Sequence, residues 1–233
     1  MRISMLPALL AVAIALPGKA EDIPRLADGK PDLNGVWERP YVPDMSRSGA
    51  NQQGAGPLPF TSWGEDNFKS YDVSKFDYTG HCLPQGLTRS MNSPFPIEIF
   101  QTAKRVAVLY EAWNVFHVIP TDGRGFPNEI EPAWMGTSIG KWDGDTLVVE
   151  TAGFNGKTRL DTVGHPLTEA LHVTEQFTRT DAKHIRYEVM IDDPKAYSKP
   201  WKNVRTFTLR PDWEIMEYSC EENNRDLTEG HIK

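Results

Sequence analysis

The sequence predicts an all-β protein, an antiparallel barrel with a long N-terminal arm, with a two-sheet sandwich as the second choice. Three observations lead there. About ten short segments are rich in Val, Ile, Thr and aromatic residues, a composition that suits a pleated, half-buried surface. Turn residues separate them at close intervals. Ten strands also exceed what a twisted open sheet holds comfortably, so closure or folding over is expected.

The segments are Gly35 to Glu38, Ile97 to Thr102, Arg105 to Trp113, Val115 to Ile119, Ile139 to Trp142, Thr146 to Thr151, Leu171 to Thr178, His184 to Ile191, Val204 to Arg210 and Glu214 to Ser219. Asp143-Gly144 supplies positive φ for a tight hairpin, and Asp181-Ala182-Lys183 joins the next pair. Thr121-Asp122-Gly123-Arg124-Gly125 also reads first as a hairpin turn. From Pro40 to Pro59 the chain is dense in Gly, Pro, Ser, Asn and Gln and reads as a loop or arm. Ser62-Trp63-Gly64-Glu65 has the spacing of a capping box, which opens one short helix to about Tyr71.

The chain starts with Arg2, an apolar run from Met5 to Leu16, and small residues ending at Ala20, which is the order of a secretory signal peptide. That run is too short for a stable membrane helix, which needs roughly 20 residues. Residues 1–20 are therefore expected to be removed, residues 21–80 to form the arm and short helix, and residues 81–233 the barrel core, all of 21–233 being one domain. A periplasmic or secreted location follows, without membrane insertion after cleavage. Cleavage takes Lys and Arg from 25 to 23 against 32 acidic residues, a surface that repels phosphate backbones. No nucleic-acid partner is expected. Cys82 and Cys220, an even pair in an exported chain, are expected to form one disulfide.

Two strands carry polar residues on otherwise apolar faces. Leu171, Val173, Glu175 and Phe177 share one face, and His172, Thr174 and Gln176 the other. Val106, Val108 and Tyr110 oppose Arg105, Ala107 and Leu109. A lumen partly polar and partly apolar would give this pattern. Glu175 between Val173 and Phe177 should have a raised pKa and suits acid or base work, unless Arg105 or Arg205 pairs with it. Glu175 and His172 are the candidate catalytic residues, although a regular strand sets them on opposite faces. Tyr110, His117, Asp122, Arg124 and Trp134 are the candidate substrate-binding residues.

Gly136-Thr137-Ser138-Ile139-Gly140 has the form of a nucleophile elbow, but a hairpin follows it where the elbow needs a helix. Asp161 and His172 complete a triad only on paper. His117, His172 and His184 are the histidines that different strands could bring together, yet no ligand spacing is present, so neither metal nor cofactor is expected.

The segments Cys82-Leu83-Pro84, Thr121-Asp122-Gly123-Arg124, Gly140-Lys141-Trp142-Asp143-Gly144-Asp145-Thr146-Leu147-Val148-Val149-Glu150-Thr151, Leu171-His172-Val173-Thr174-Glu175 and Asp193-Pro194 together resemble a large family of exported bacterial proteins of unassigned function. The resemblance implies export and a single domain. The chain departs from that pattern at Phe116 and His117, where basic residues are usual, and at Phe126 and Leu167, where His is usual. Leu33-Asn34-Gly35-Val36-Trp37 is similar to the Gly-x-Trp entry of lipocalin-like barrels, which favours the barrel over the sandwich.

The function expected from these readings is action on a small organic molecule, apolar or aromatic, by cofactor-independent acid–base chemistry. The alternative is a non-catalytic carrier that uses the same lumen.

Overall fold

The computed structural model describes residues 23–222, 224, 225 and 229, so the expected signal segment lies outside the description. Nine strands form the barrel: β1 Gly35–Glu38, β3 Ile97–Thr102, β4 Arg105–Tyr110, β5 Phe116–Pro120, β6 Thr137–Asp143, β7 Thr146–Ala152, β8 His172–Arg179, β9 His184–Asp192 and β10 Trp201–Leu209. The short β2, Gln52–Gln53, pairs with β10 from outside this ring. Neighbours follow chain order, and β1 pairs antiparallel with both β3 and β10, so the ladder runs unbroken from β5 round to β6. The barrel expectation holds. Its single interruption lies between β5 and β6.

Alternation decides what faces inward. In β8 the buried residues are Val173, Glu175, Phe177 and Arg179, and in β9 they are Ile185, Tyr187, Val189 and Ile191. β10 runs against its apparent polarity, because Asn203 and Arg205 face inward with Trp201 and Phe207. Val204 faces the other way, in register with Gln53 of β2.

Three short α-helices precede β3: α1 Ser62–Ser70, α2 Val73–Phe76 and α3 Leu87–Asn92. The expected helix is α1, but its N-cap is Thr61, whose Oγ1 accepts from the Gly64 amide at 3.0 Å. All six residues of α3 are buried, so it acts as an internal plug. Its last carbonyls cannot reach water and need donors. Arg39 donates to Ser90 O at 2.9 Å, Arg205 to Met91 O at 2.8 Å, and the Val42 amide to Asn92 O at 2.9 Å. Cations also suit the negative end of a helix. Two interior arginines thus join the barrel wall to the plug.

Other expectations need correction. The segment Glu214 to Ser219 forms no strand; it is an extended strap whose Met216 amide donates to Glu111 Oε2 at 2.9 Å. Both sides of β10 are already occupied, so no barrel edge is left there for it. The strand from Arg105 stops at Tyr110, because Trp113 and Asn114 adopt left-handed φ values of 62° and 48° and turn the chain. That conformation costs about 1–2 kcal/mol per residue and persists only where surroundings impose it. Thr121 to Gly125 opens a loop to 136 and is not a hairpin, since β5 and β6 are not paired. The arm is no loose loop either: Val42 and Met45 are in the core.

Cys82 and Cys220 form the expected disulfide, 138 residues apart in sequence. Among the described residues no helix is long and apolar enough to cross a membrane.

Candidate functional site

At the β5–β6 interruption, Gly140 packs directly against β5. A Cβ there would lie 2.6 Å from Ile119 Cγ2 and 3.2 Å from Thr121 Cγ2, so only glycine lets the strands come together. Two residues earlier on the same face of β6, Ser138 faces inward, as does His117 on β5. His117 Nε2 and Ser138 Oγ share a hydrogen bond at 2.5 Å, and Ser138 Oγ shares another with Thr151 Oγ1 at 2.8 Å. This polar chain, and no backbone ladder, closes the seam.

His117 and Ser138 also line a cavity of about 580 Å³ whose other walls include Phe116, Val118, Trp134 and Met135. That volume suits a small organic ligand, as does an apolar lining with few polar groups. Burial pushes the His117 imidazole down to about 4, so the ring is neutral at pH 7. A neutral ring has one donor and one acceptor nitrogen. With Nε2 engaged by Ser138, Nδ1 has no protein partner. One buried polar atom of the lining residues is thus left unpaired in largely apolar surroundings.

Ser and His in contact suggest nucleophilic catalysis, but the supporting parts are missing. A base needs a third group to orient it, and His117 Nδ1 has none. The carboxylate of the paper triad, Asp161, is held instead by His165 Nδ1 at 2.6 Å and the Met45 amide at 2.9 Å. The partner of Ser138 is His117, not His172. Asp44, Asp161 and His165 could present ligand atoms within 4.8 Å of one another to a metal, yet Asp161 is already engaged by His165 and by the Met45 amide, and the Met45 bond clasps the arm to the loop before β8.

A second cluster occupies the barrel interior. Glu175 is fully buried, in register with Val149 and Val189, and Tyr187 donates to its Oε1 at 2.8 Å as a diagonal neighbour on β9. Its Oε2 has no partner. Burial pushes the carboxyl up to about 7, opposed by the Tyr187 hydrogen bond and the Arg205 charge. Arg205 spends Nε on Asn203 Oδ1 at 2.8 Å and Nη1 on the plug, and lies over the Tyr187 ring. Arg39 lies over Tyr110, whose hydroxyl has no partner. Burial lowers both arginines to about 10.

The remaining candidates do not converge here. His172 is on the outer face, edge-on to Phe126 and 3.9 Å from Glu150, so it does not meet Glu175. Asp122 and Arg124 pair with each other at 2.5 Å on the surface, and that hydrogen bond holds Asp122 down to about 2. Trp134 lines the seam cavity and stacks on Tyr78. His184 bonds Asp181 at 2.9 Å, and among the described residues the three histidines do not gather into one ligand group. Tyr187 and Arg39 were not singled out by pattern. For Tyr187 the signal was present, since Ile185, Tyr187, Val189 and Ile191 form a clean apolar face.

No protein-family model matches the chain, and no curated protein matches it.

Proposed function

We propose that the protein is an exported binding or carrier protein for a small apolar or aromatic molecule bearing one polar group, held in the β5–β6 seam cavity. The observation that carries this reading is the His117–Ser138 pair at 2.5 Å in a largely apolar cavity. Apolar walls supply affinity by removing ligand surface from water. The unpartnered His117 Nδ1 supplies orientation, because a ligand hydroxyl or carbonyl satisfies it. Export is supported by the leader pattern and by the Cys82–Cys220 disulfide, since such bonds persist in oxidising compartments.

Acid–base catalysis is the second reading, and Glu175 favours it. A buried carboxyl near 7 with a tyrosine donor is tuned for proton transfer at neutral pH. Against it, α3 plugs the barrel and no side-chain base joins Glu175.

The two readings separate in one experiment: thermal unfolding of the mature protein against small aromatic and terpenoid alcohols and ketones, followed by mass spectrometry of each compound that raises the midpoint. The carrier reading expects a raised midpoint and an unchanged compound. A product in place of the compound overturns it in favour of Glu175 chemistry.

A further inference from the structure

A different cavity, of about 410 Å³, lies over the C-terminal end of the plug helix α3 and beneath the strap that precedes Cys220. It is assembled from segments far apart in sequence. Gln85 precedes the helix and Asn92 is its last residue, Trp113 comes from the left-handed turn after β4, and Tyr218 from the strap. Tyr218 stacks on Trp113 at 5.0 Å and Phe95 meets Tyr218 edge-on at 5.6 Å. Asn114 Nδ2 donates to Tyr218 O, and the disulfide anchors the strap two residues later. The strained turn is thus held in place from above.

Three polar atoms of this lining have no protein partner: Gln85 Oε1, Asn92 Oδ1 and Trp113 Nε1. Gln85 and Asn92 are 7% and 1% exposed, so they are desolvated side chains. Buried polar atoms are satisfied in nearly all native structures, and unsatisfied ones call for an explanation. For Asn92 the amide orientation is fixed, because Nδ2 donates to Leu160 O at 2.7 Å and leaves Oδ1 as the acceptor. The nearby charge is already balanced, since Arg89 makes a bidentate pair with Asp77 at 2.9 and 2.6 Å. A complementary ligand therefore carries no net charge, at least two hydrogen-bond donors and one acceptor, and an apolar face for the aromatic wall. Adjacent hydroxyl groups on a saturated ring meet all four requirements, since each hydroxyl both donates and accepts.

We infer that the cavity formed by Gln85, Asn92, Trp113 and Tyr218 is a binding site for a neutral polyhydroxylated molecule of monosaccharide size, separate from the seam cavity. The test is calorimetric titration of the mature protein with D-glucose, D-galactose and myo-inositol, with D-glucuronate as the charged counterpart. Indole N–H spectra, with Trp113 assigned by Trp113→Phe, locate the site. The expected result is saturable binding of at least one neutral compound with a shift of the Trp113 signal, and weaker binding of glucuronate. Gln85→Met should weaken that binding about tenfold or more. It should leave the unfolding midpoint unchanged or raised, because Gln85 Oε1 has no protein contact to lose. Trp113→Phe, read by calorimetry, provides a second variant should Gln85→Met misfold. Ser138→Ala should bind the polyol as the wild type does, which keeps this site distinct from the seam. No saturable binding up to roughly 50 mM, far above a millimolar constant, would overturn the inference. So would tighter binding of glucuronate, or wild-type affinity in both variants.

Discussion

His117 Nε2 and Ser138 Oγ lie 2.5 Å apart across the one interruption in the barrel ladder. A strand gap closed by side chains is easier to open than one closed by backbone hydrogen bonds, and the apolar cavity sits at that gap. The site and the one unpaired join of the wall are the same place.

Glu175 and His117 pull the pH dependence of stability in opposite directions. The Glu175 carboxyl is raised to about 7, so between about pH 4.5 and 7 the folded state holds a proton that the unfolded chain has lost. Stability from this group therefore falls as pH rises through that window. His117 is lowered to about 4, so between about pH 6.5 and 4 the unfolded chain binds a proton that the folded state refuses. Stability from that group rises with pH. Each contribution is on the order of 3 kcal/mol, and the two largely cancel in the wild type. Glu175→Gln should expose a rise in stability from pH 4 to 6.5, and His117→Gln a fall from pH 4.5 to 7, both read by urea unfolding.

Gly140→Ala should destabilise the protein by about 1–3 kcal/mol, the usual range for overpacking. The added Cβ meets Ile119, a fully buried residue with little room to move, and pushes β5 from β6. Denaturant unfolding measures the loss. Hydrogen exchange should show it as faster opening of β5 and β6, with β8 and β9 unchanged.

Arg205→Met should destabilise by about 2–5 kcal/mol, because it strands Met91 O and Asn203 Oδ1 without their donor. It also removes the positive charge that holds Glu175 down, so the carboxyl should titrate higher still. Carboxyl ¹³C titration of Glu175 in the variant checks the second effect. A shift of Glu175 to lower pH would contradict the assigned electrostatics.

Much of the barrel was legible because strand alternation and the Gly144 turn, with φ at 56°, are local signals that tertiary structure did not override, although Asp143 ends β6 and the turn proper is Gly144-Asp145. Glu175 stood out for the same reason, as a charge on an apolar face. The β10 interior was legible only in part: Arg205 was a possible partner for Glu175, but its bond to the α3 carbonyl of Met91 and that of Asn203 to Met45 O at 2.9 Å depend on segments distant in sequence. The plug itself was hidden because Leu87-Thr88-Arg89-Ser90-Met91-Asn92 is too short to show helical periodicity. Ser138 was visible as a motif, but its partner was not. The closure of β5 on β6, which brings His117 to it, is a property of the whole ring.

The central claim is that the seam cavity binds an apolar molecule through His117 without transforming it. Its most direct test is the imidazole ¹⁵N spectrum of His117 during titration with p-cresol, indole and geraniol, with mass spectrometry of the recovered compound. The account predicts that a binding compound shifts the His117 ring nitrogens saturably, is recovered unchanged, and binds about tenfold more weakly to Trp134→Ala. Binding that leaves His117 unmoved and shifts Tyr187 and Glu175, or recovery of a product, would contradict it.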